Sequence, residues 1–373
     1  IMSSAPPPPP PPPRQLPNRV AVAQMTSSSN RLANYSAIRR LARQARDAGA
    51  SILFLPECCC FLGESAAESV ADASPLDDDE EHGNVVDYYR ALAREFGLWL
   101  SLGGIQEKRD EVGGTPPSSV GEGGKKMHNT HVILRDDGST AGRYRKVHLF
   151  DFAAEGLHES RSTEPGDSLV VVPDAPCGEG EFDTSVSRKE AREKQGGTGN
   201  QSKSLPSSHL FPQNRPTERP KTGPLGLSIC YDLRFPELYQ RLRFEKEARV
   251  LAVPAAFTET TGRQGHWEVL LRARAIETQC AVVAAAQVGQ HNEGGRRRSW
   301  GQAMIVDASG KVLAKMKSAD DTTGEKEGGE GGDSDDDNVG IIVADLDAAA
   351  IEGVREKMPV AEHREAGRKV LGL

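Results

Sequence analysis

Leu225-Gly226-Leu227-Ser228-Ile229-Cys230-Tyr231-Asp232-Leu233-Arg234-Phe235-Pro236 is the stretch whose reading settles both the fold and the chemistry. Its first five residues read as a short buried strand. Pro236 then opens a helix, because a proline in the first helical turn gives up no hydrogen bond it would otherwise make. Cys230 sits at the join. A thiol on a strand-to-helix turn is accessible, and the backbone N–H just after it can face a developing oxyanion.

Two further apolar strands end in reactive side chains. Ile52-Leu53-Phe54-Leu55 runs into Pro56-Glu57, and the strand through Tyr144 runs into Arg145-Lys146-Val147-His148. Strand ends project side chains from a rigid sheet into a pocket. A cation beside a thiol favours the thiolate and holds negative charge on a substrate, while a carboxylate can move the protons. Glu57, Lys146 and Cys230 together therefore form a coherent acyl-transfer set. Each also has a plainer reading. A cysteine after an apolar strand is commonly a small buried hydrophobe, a lysine at a strand end is commonly solvated, and a glutamate after proline is commonly a turn residue. Spacing alone leaves both readings open.

The remaining pattern alternates strands with helices and predicts an α/β sandwich. A strand at Val20 to Ala23 leads to a helix capped by Asn30, with Leu32, Ile38, Leu41, Ala42 and Ala45 at helical spacing and Gly49 as its stop. Acidic residues from Ser74 to His82 read as a loop. A helix over 85–96 stops at Gly97 and precedes a strand over 98–102. A hairpin through Val132 to Leu134 turns at Asp137-Gly138. Further strands are expected at 169–172, 250–256, 281–288 and 341–344, with a helix from His266 to Cys280 and a hairpin turning at Asp307 to Gly310. Hairpins exclude a purely parallel sheet, and no solenoid repeat is present. The chain divides into a proline-rich tail over 1–17, one domain over 18–346 and a polar C-terminal tail over 347–373. Stretches at 109–126, 178–222 and 318–338 read as insertions, the second as disordered.

Composition narrows the function classes. Of the 373 residues, 46 are Lys or Arg and 54 are Asp or Glu, for a formal charge of -8. That balance argues against nucleic acid and anionic membrane as general partners. Arg296-Arg297-Arg298 reads as a solvated loop or a phosphate contact. No apolar run of about 18 residues predicts a membrane span. The six cysteines include the contiguous Cys58-Cys59-Cys60 and lack paired spacing, which points to a reducing, cytoplasmic compartment. Cys280 reads as core, and the three contiguous cysteines as lining or backing the pocket. His128, His131, His148 and His158 share no metal-ligand spacing, so no metal is expected. Pro6 to Pro13 suit a polyproline II spacer or an SH3-type ligand rather than a secretory signal. Ile1 before Met2 reads as a fragment end, leaving an organellar form open.

Leu55-Pro56-Glu57, Tyr144 to Asp151 and Cys230 to Leu238 resemble, in order, the three signature blocks of the nitrilase superfamily of carbon-nitrogen hydrolases. Supporting matches cover His266-Trp267-Glu268, Leu271 to Glu277, and Gly301 with Val306 to Gly310. Within the superfamily, Phe235 to Leu238 and the long helix from His266 resemble the deaminated glutathione amidases. The resemblance implies a four-layer α-β-β-α sandwich, completed on dimerisation, and a homo-oligomer. It implies amide hydrolysis of a small molecule through a cysteine thioester, without a cofactor. Cys230 would be the nucleophile and Glu57 the general base. Lys146 and the Tyr231 backbone N–H would hold the oxyanion. Glu159 resembles the family's second glutamate, with Glu155 as a competing candidate. Arg234 has two readings: an anchor for a substrate carboxylate, or a structural ion pair. Two alternatives stand beside this one, an ω-amidase acting on α-ketoglutaramate and a non-catalytic scaffold. The intact Glu, Lys and Cys weigh against the scaffold.

Overall fold

In β1, Arg19–Met25, side chains alternate between two separate cores, and this alternation sets up the layers. The computed structural model describes residues 18–76, 84–109, 126–152, 156–177, 223–294, 297–322 and 338–371. The other strands are β2 Ile52–Phe54, β3 Trp99–Lys108, β4 Met127–Leu134, β5 Thr140–Arg145, β6 Asp151–Phe152, β7 Leu157–His158, β8 Val171–Val172, β9 Leu225–Leu227, β10 Val250–Ala252, β11 Ala281–Ala284, β12 Ala286–Gln290, β13 Arg298–Trp300, β14 Met304–Val306, β15 Val312–Lys315 and β16 Gly340–Asp345. The helices are α1 Arg31–Asp47, α2 Ala66–Asp72, α3 Val85–Phe96, α4 Pro236–Phe244, α5 Glu259–Arg263, α6 His266–Thr278, α7 Ala348–Lys357 and α8 Val360–Leu371.

One sheet runs β13-β12-β1-β2-β3-β4-β5, with β16 also paired to β1; the other runs β15-β14-β11-β10-β9-β8. Ala21, Ala23 and Met25 face α1 and α3, packing with Ile38, Leu41, Tyr89 and Leu92. Val20 and Val22 point the other way, into a core shared with Leu225, Leu227 and Val250 of the second sheet. That core continues under α4 and α6 through Leu238, Tyr239, Trp267 and Leu271. The α-β-β-α layering implied by the resemblance is thus present, and all four layers come from one chain. Strands covered on both faces need near-continuous apolar sequence, which is what the runs at β2, β9 and β10 supply.

Local chemistry sets the helix ends. Asn30 caps α1 by accepting from the Ala33 N–H at 3.0 Å. Asn84 caps α3 in a reciprocal box with Asp87, and Gly97 ends it in the left-handed region at φ 57°. Pro236 opens α4. Four readings change. Leu32 lies outside the buried stripe of α1 and is 79% exposed. Helix α2 carries too short a pattern to be seen. The expected single strand over 281–288 breaks at Ala285, with β11 in one sheet and β12 in the other. Finally, the expected polar tail after Leu346 forms α7 and α8, and α7 buries Ile351. Asp347 caps α7 by accepting from the Ala349 N–H at 2.8 Å. The segments read as insertions fall almost wholly outside the described residues, as do the proline run and most of the acidic loop.

Strand β3 runs ten residues, well past the predicted end at Leu102, because a bulge at Gly103-Gly104 lets it carry on beside β4. A Cβ on Gly103 would lie 2.2 Å from Pro254 Cβ and 2.3 Å from the Leu55 carbonyl oxygen. One on Gly104 would lie 2.6 Å from Asn129 Oδ1 and 3.2 Å from Glu57 Cγ. Glycine here lets two sheets meet at the strand ends. Gly103→Ala is expected to destabilise the protein by about 2 kcal/mol or more, since the clash is with backbone. A urea midpoint unchanged from wild type would contradict that packing.

Candidate active site

Glu57, Lys146, Glu159 and Cys230 converge at one end of the sandwich. Glu57 follows β2 by three residues, Lys146 follows β5 directly, and Cys230 follows β9 by three. Lys146 is 2% exposed. Its Nζ donates to Glu57 Oε1 at 3.0 Å and to both oxygens of Glu159 at 3.0 and 2.9 Å. The remaining lone pairs are also used. Asn129 Nδ2 donates to Glu57 Oε1 at 2.9 Å, the Ala256 N–H to Glu57 Oε2 at 3.0 Å, and the Phe150 N–H to Glu159 Oε2 at 2.7 Å. Of the two candidates for a second glutamate, Glu159 binds the lysine, and Glu155 lies outside the described residues.

These contacts set the protonation states. Burial disfavours ionisation of Glu57, but the Lys146 charge and the bonds from Lys146, Ala256 and the Cys230 thiol hold its pKa below the usual carboxylate range. Burial also disfavours a charged Lys146, yet Glu159 and Glu57 raise its pKa well above normal. Burial and then the Glu57 charge push the Cys230 thiol well up, against the pull of Lys146. The resting site is therefore a thiol, not a thiolate, hydrogen-bonded to an ionised carboxylate beside an ammonium.

The backbone around the thiol is held under strain. Cys230 has φ 44°, a left-handed value that costs a non-glycine residue energy, within a 3-10 turn over Cys230–Arg234. Asp232, fully buried, supports that turn. Its Oδ2 accepts from the Ile229 N–H at 2.9 Å and the Tyr144 hydroxyl at 2.7 Å, and its Oδ1 from the His148 N–H at 3.0 Å and His148 Nδ1 at 2.7 Å. One carboxylate thus ties the nucleophile turn to the segment carrying Lys146. His148 in turn stacks on Phe235 at 3.7 Å. Behind the turn, His131 Nδ1 donates to the Ser228 carbonyl at 3.1 Å, so its Nε2 accepts from Ser101 Oγ at 2.7 Å. Burial keeps this histidine neutral, with its pKa lowered to about 4.

The other predicted residues fall into place around this centre. The Tyr231 N–H bonds no described residue, and its ring packs on Phe150 and Phe235 at 4.9 and 5.3 Å. Arg234 makes no ion pair with a described carboxylate. Its guanidinium lies over the Phe257 ring at 5.6 Å and contacts His266 Nδ1 at 3.3 Å. Cys58, Cys59 and Cys60 are buried, and burial pushes the Cys58 thiol up to about 12. Cys280 is core, bonding the Ala248 carbonyl. Among the described residues no group of three or more His, Cys, Asp or Glu can hold a metal ion, and no helix is long and apolar enough to cross a membrane. In the arginine run, Arg297 and Arg298 are exposed, Arg298 pairs with Glu259 at 2.5 Å, and Arg296 lies outside the described residues. Sequence reasoning missed Asn129, Ala256 and Asp232. Asn129 left no distinct signal, since His128, Thr130 and His131 flank it in β4.

Charged groups balanced this way around a thiol on a strand-to-helix turn define a class, the thiol-dependent hydrolases built on an α-β-β-α sandwich. The chain belongs to the carbon-nitrogen hydrolase family, whose model matches residues 19–356. It is 35% identical over 348 residues to the deaminated glutathione amidase of Bos taurus, covering 92% of this chain and 81% of that protein. It is 36% identical to the nitrilase and fragile histidine triad fusion protein NitFhit of Drosophila melanogaster, covering 92% of this chain but 57% of the fusion. Among solved structures, C. elegans NitFhit superposes with a TM-score of 0.65 at 33% identity, over 93% of this chain and 64% of that one. Saccharomyces cerevisiae Nit3, described as a member of branch 10 of the nitrilase superfamily, shares the fold with a TM-score of 0.61 at 24% identity, over 91% and 94%.

The raised thiol pKa gives a test independent of turnover. Glu57→Gln removes the negative neighbour and leaves Lys146, so the thiolate is favoured and the thiol pKa falls. The pH profile of iodoacetamide alkylation at Cys230, read by intact mass with Cys230→Ala as blank, is expected to move to lower pH in Glu57→Gln. A profile that stays put or moves up would show that Glu57 does not set the thiol's acidity.

Proposed function

We propose that this chain is an amidase that cleaves deaminated glutathione, a peptide-like α-keto amide, through a cysteine thioester. The observation that carries the reading is the ionised Glu57, which reaches both the Cys230 thiol and Lys146 in one buried, fully bonded cluster. Sulfur attacks the amide carbon while Glu57 takes the thiol proton. Negative charge then collects on the carbonyl oxygen, where the Lys146 ammonium and the Tyr231 N–H stabilise it. Collapse breaks the carbon–nitrogen bond, and Glu57 returns the proton to the departing amine. Water, deprotonated by the same carboxylate, attacks the thioester and releases the acid. Glu159 holds Lys146 in place and offsets its charge.

The substrate assignment draws on relatives named as deaminated glutathione amidases. It also draws on Arg234, a guanidinium without a described carboxylate partner beside the nucleophile turn, suited to bidentate binding of the α-keto acid. A homo-oligomeric working form and a cytoplasmic setting belong to the same reading; six unpaired cysteines support the latter.

The assay is 2-oxoglutarate release from deaminated glutathione and from α-ketoglutaramate. Turnover favouring deaminated glutathione is expected, with Cys230→Ala lowering kcat by about 10⁴-fold or more. Preference for α-ketoglutaramate would reassign the substrate and keep the mechanism. Activity surviving Cys230→Ala would remove the nucleophile.

A further inference from the structure

Arg297 lies near the active-site end and, like Arg234, makes no ion pair with a described carboxylate. Three loops meet there. Ser27 Oγ donates to the Cys59 carbonyl at 3.2 Å, the Leu62 N–H to the Ser28 carbonyl at 3.0 Å, and His291 Nδ1 to the Ser27 carbonyl at 2.9 Å. Gln287 Nε2 donates to the Glu57 carbonyl at 3.0 Å, tying β12 directly to the catalytic loop. The loop between β12 and β13 closes where the His291 N–H donates to the Arg297 carbonyl at 3.1 Å. Arg297 is therefore fixed over the segment that follows Glu57. Its side chain is exposed, and its Nη1 lies 3.5 Å from the Gly63 carbonyl. Its neighbour Arg298 is engaged by Glu259. Arg297 forms no ion pair with a described carboxylate, yet its charge is felt at the Cys58 thiol, one residue from Glu57.

A second open group, on β3, bonds the same loop. Gln106 is 5% exposed, and its Nε2 donates to the Phe61 carbonyl at 3.1 Å. Its Oε1 is buried and accepts from no described donor. The Gln106 acceptor and a guanidinium without a described carboxylate, on side chains bonded to the stretch from Phe61 to Gly63, complement an N–H followed by a carboxylate. A peptide chain end supplies that pair. Charge makes the guanidinium necessary. Two carboxylates, Glu57 and Glu159, face the single ammonium of Lys146, an excess of acidic groups that disfavours an anionic leaving group.

We propose that Arg297, aided by Gln106, binds the terminal carboxylate of the leaving peptide and so selects peptide-like amides over primary amides. This rests on the amidase reading above. Deaminated glutathione leaves as a Cys-Gly dipeptide, about 7 Å long when extended, and ends in a carboxylate; α-ketoglutaramate carries the same acyl group and leaves as ammonia. Arg297 thus acts on one substrate and has nothing to hold in the other.

The test measures kcat/KM for wild type, Arg297→Ala and Arg297→Lys on three substrates: deaminated glutathione, its C-terminal carboxamide and α-ketoglutaramate. Arg297→Ala is expected to lose about 10- to 100-fold on deaminated glutathione, mostly in KM, the scale of one charge-assisted bond. Arg297→Lys should recover part of the loss. On the carboxamide and on α-ketoglutaramate, wild type and Arg297→Ala should agree within about twofold, because the partner charge is gone. Equal losses on all three substrates, or no loss on deaminated glutathione, would overturn the assignment of Arg297 while leaving the amidase reading intact. A wild type that turns over none of the three would overturn the amidase reading, and this inference with it.

Discussion

One lysine sits between two carboxylates in a place water scarcely reaches. Removing three charges from solvent is costly, and the arrangement persists only because mutual attraction and a full set of hydrogen bonds repay the loss. Lys146 supplies the attraction; Asn129, Ala256 and Phe150 supply the bonds. Each donor belongs to a different part of the chain. β4 must bring Asn129 alongside the end of β5, the segment after β10 must present an amide to Glu57, and the 3-10 turn at Glu159–Arg161 must fold back on Phe150. A small error in any of them leaves a buried charge without its partner. The cluster thus acts as a check on the register of both sheets.

Asp232 does the same for the nucleophile. Four donors converge on it, so the turn that places Cys230 at a strained φ cannot relax without exposing a buried carboxylate. The thiol is consequently aimed by geometry rather than by acidity. Its proton stays on sulfur until a substrate carbonyl is present to take the charge, which spares the enzyme a permanently reactive thiolate. Cys58 and Cys59, beside Glu57, are held as thiols by the same burial.

Much of this was legible in the sequence because strand ends announce themselves. Apolar runs closing on Glu57 and Cys230 stand out, Lys146 ends a hairpin strand, and Asn30, Gly97 and Pro236 mark helix ends by their own chemistry. Asn129, Ala256 and Asp232 were not legible, because each acts through a bond to a residue distant in the chain; Ala256 contributes only its backbone. The break at Ala285 was invisible for a related reason. Strands buried on both faces lose the alternation that would reveal a change of sheet, so two strands read as one. The helices after Leu346 were missed because their polar faces outweigh a buried face as small as Ile351.

β1 and β16 lie side by side, joined at their ends by Arg19 and Asp345, 326 residues apart in sequence. During synthesis, therefore, one edge of β1 must wait until the chain has grown by the 326 residues to Asp345. At about 5–20 residues per second, that wait is on the order of tens of seconds on the ribosome. For that time β1 is an apolar ribbon with one row of amides and carbonyls unclaimed, open to chaperones and to other nascent chains. The protein's most vulnerable moment is set by the position of its last strand.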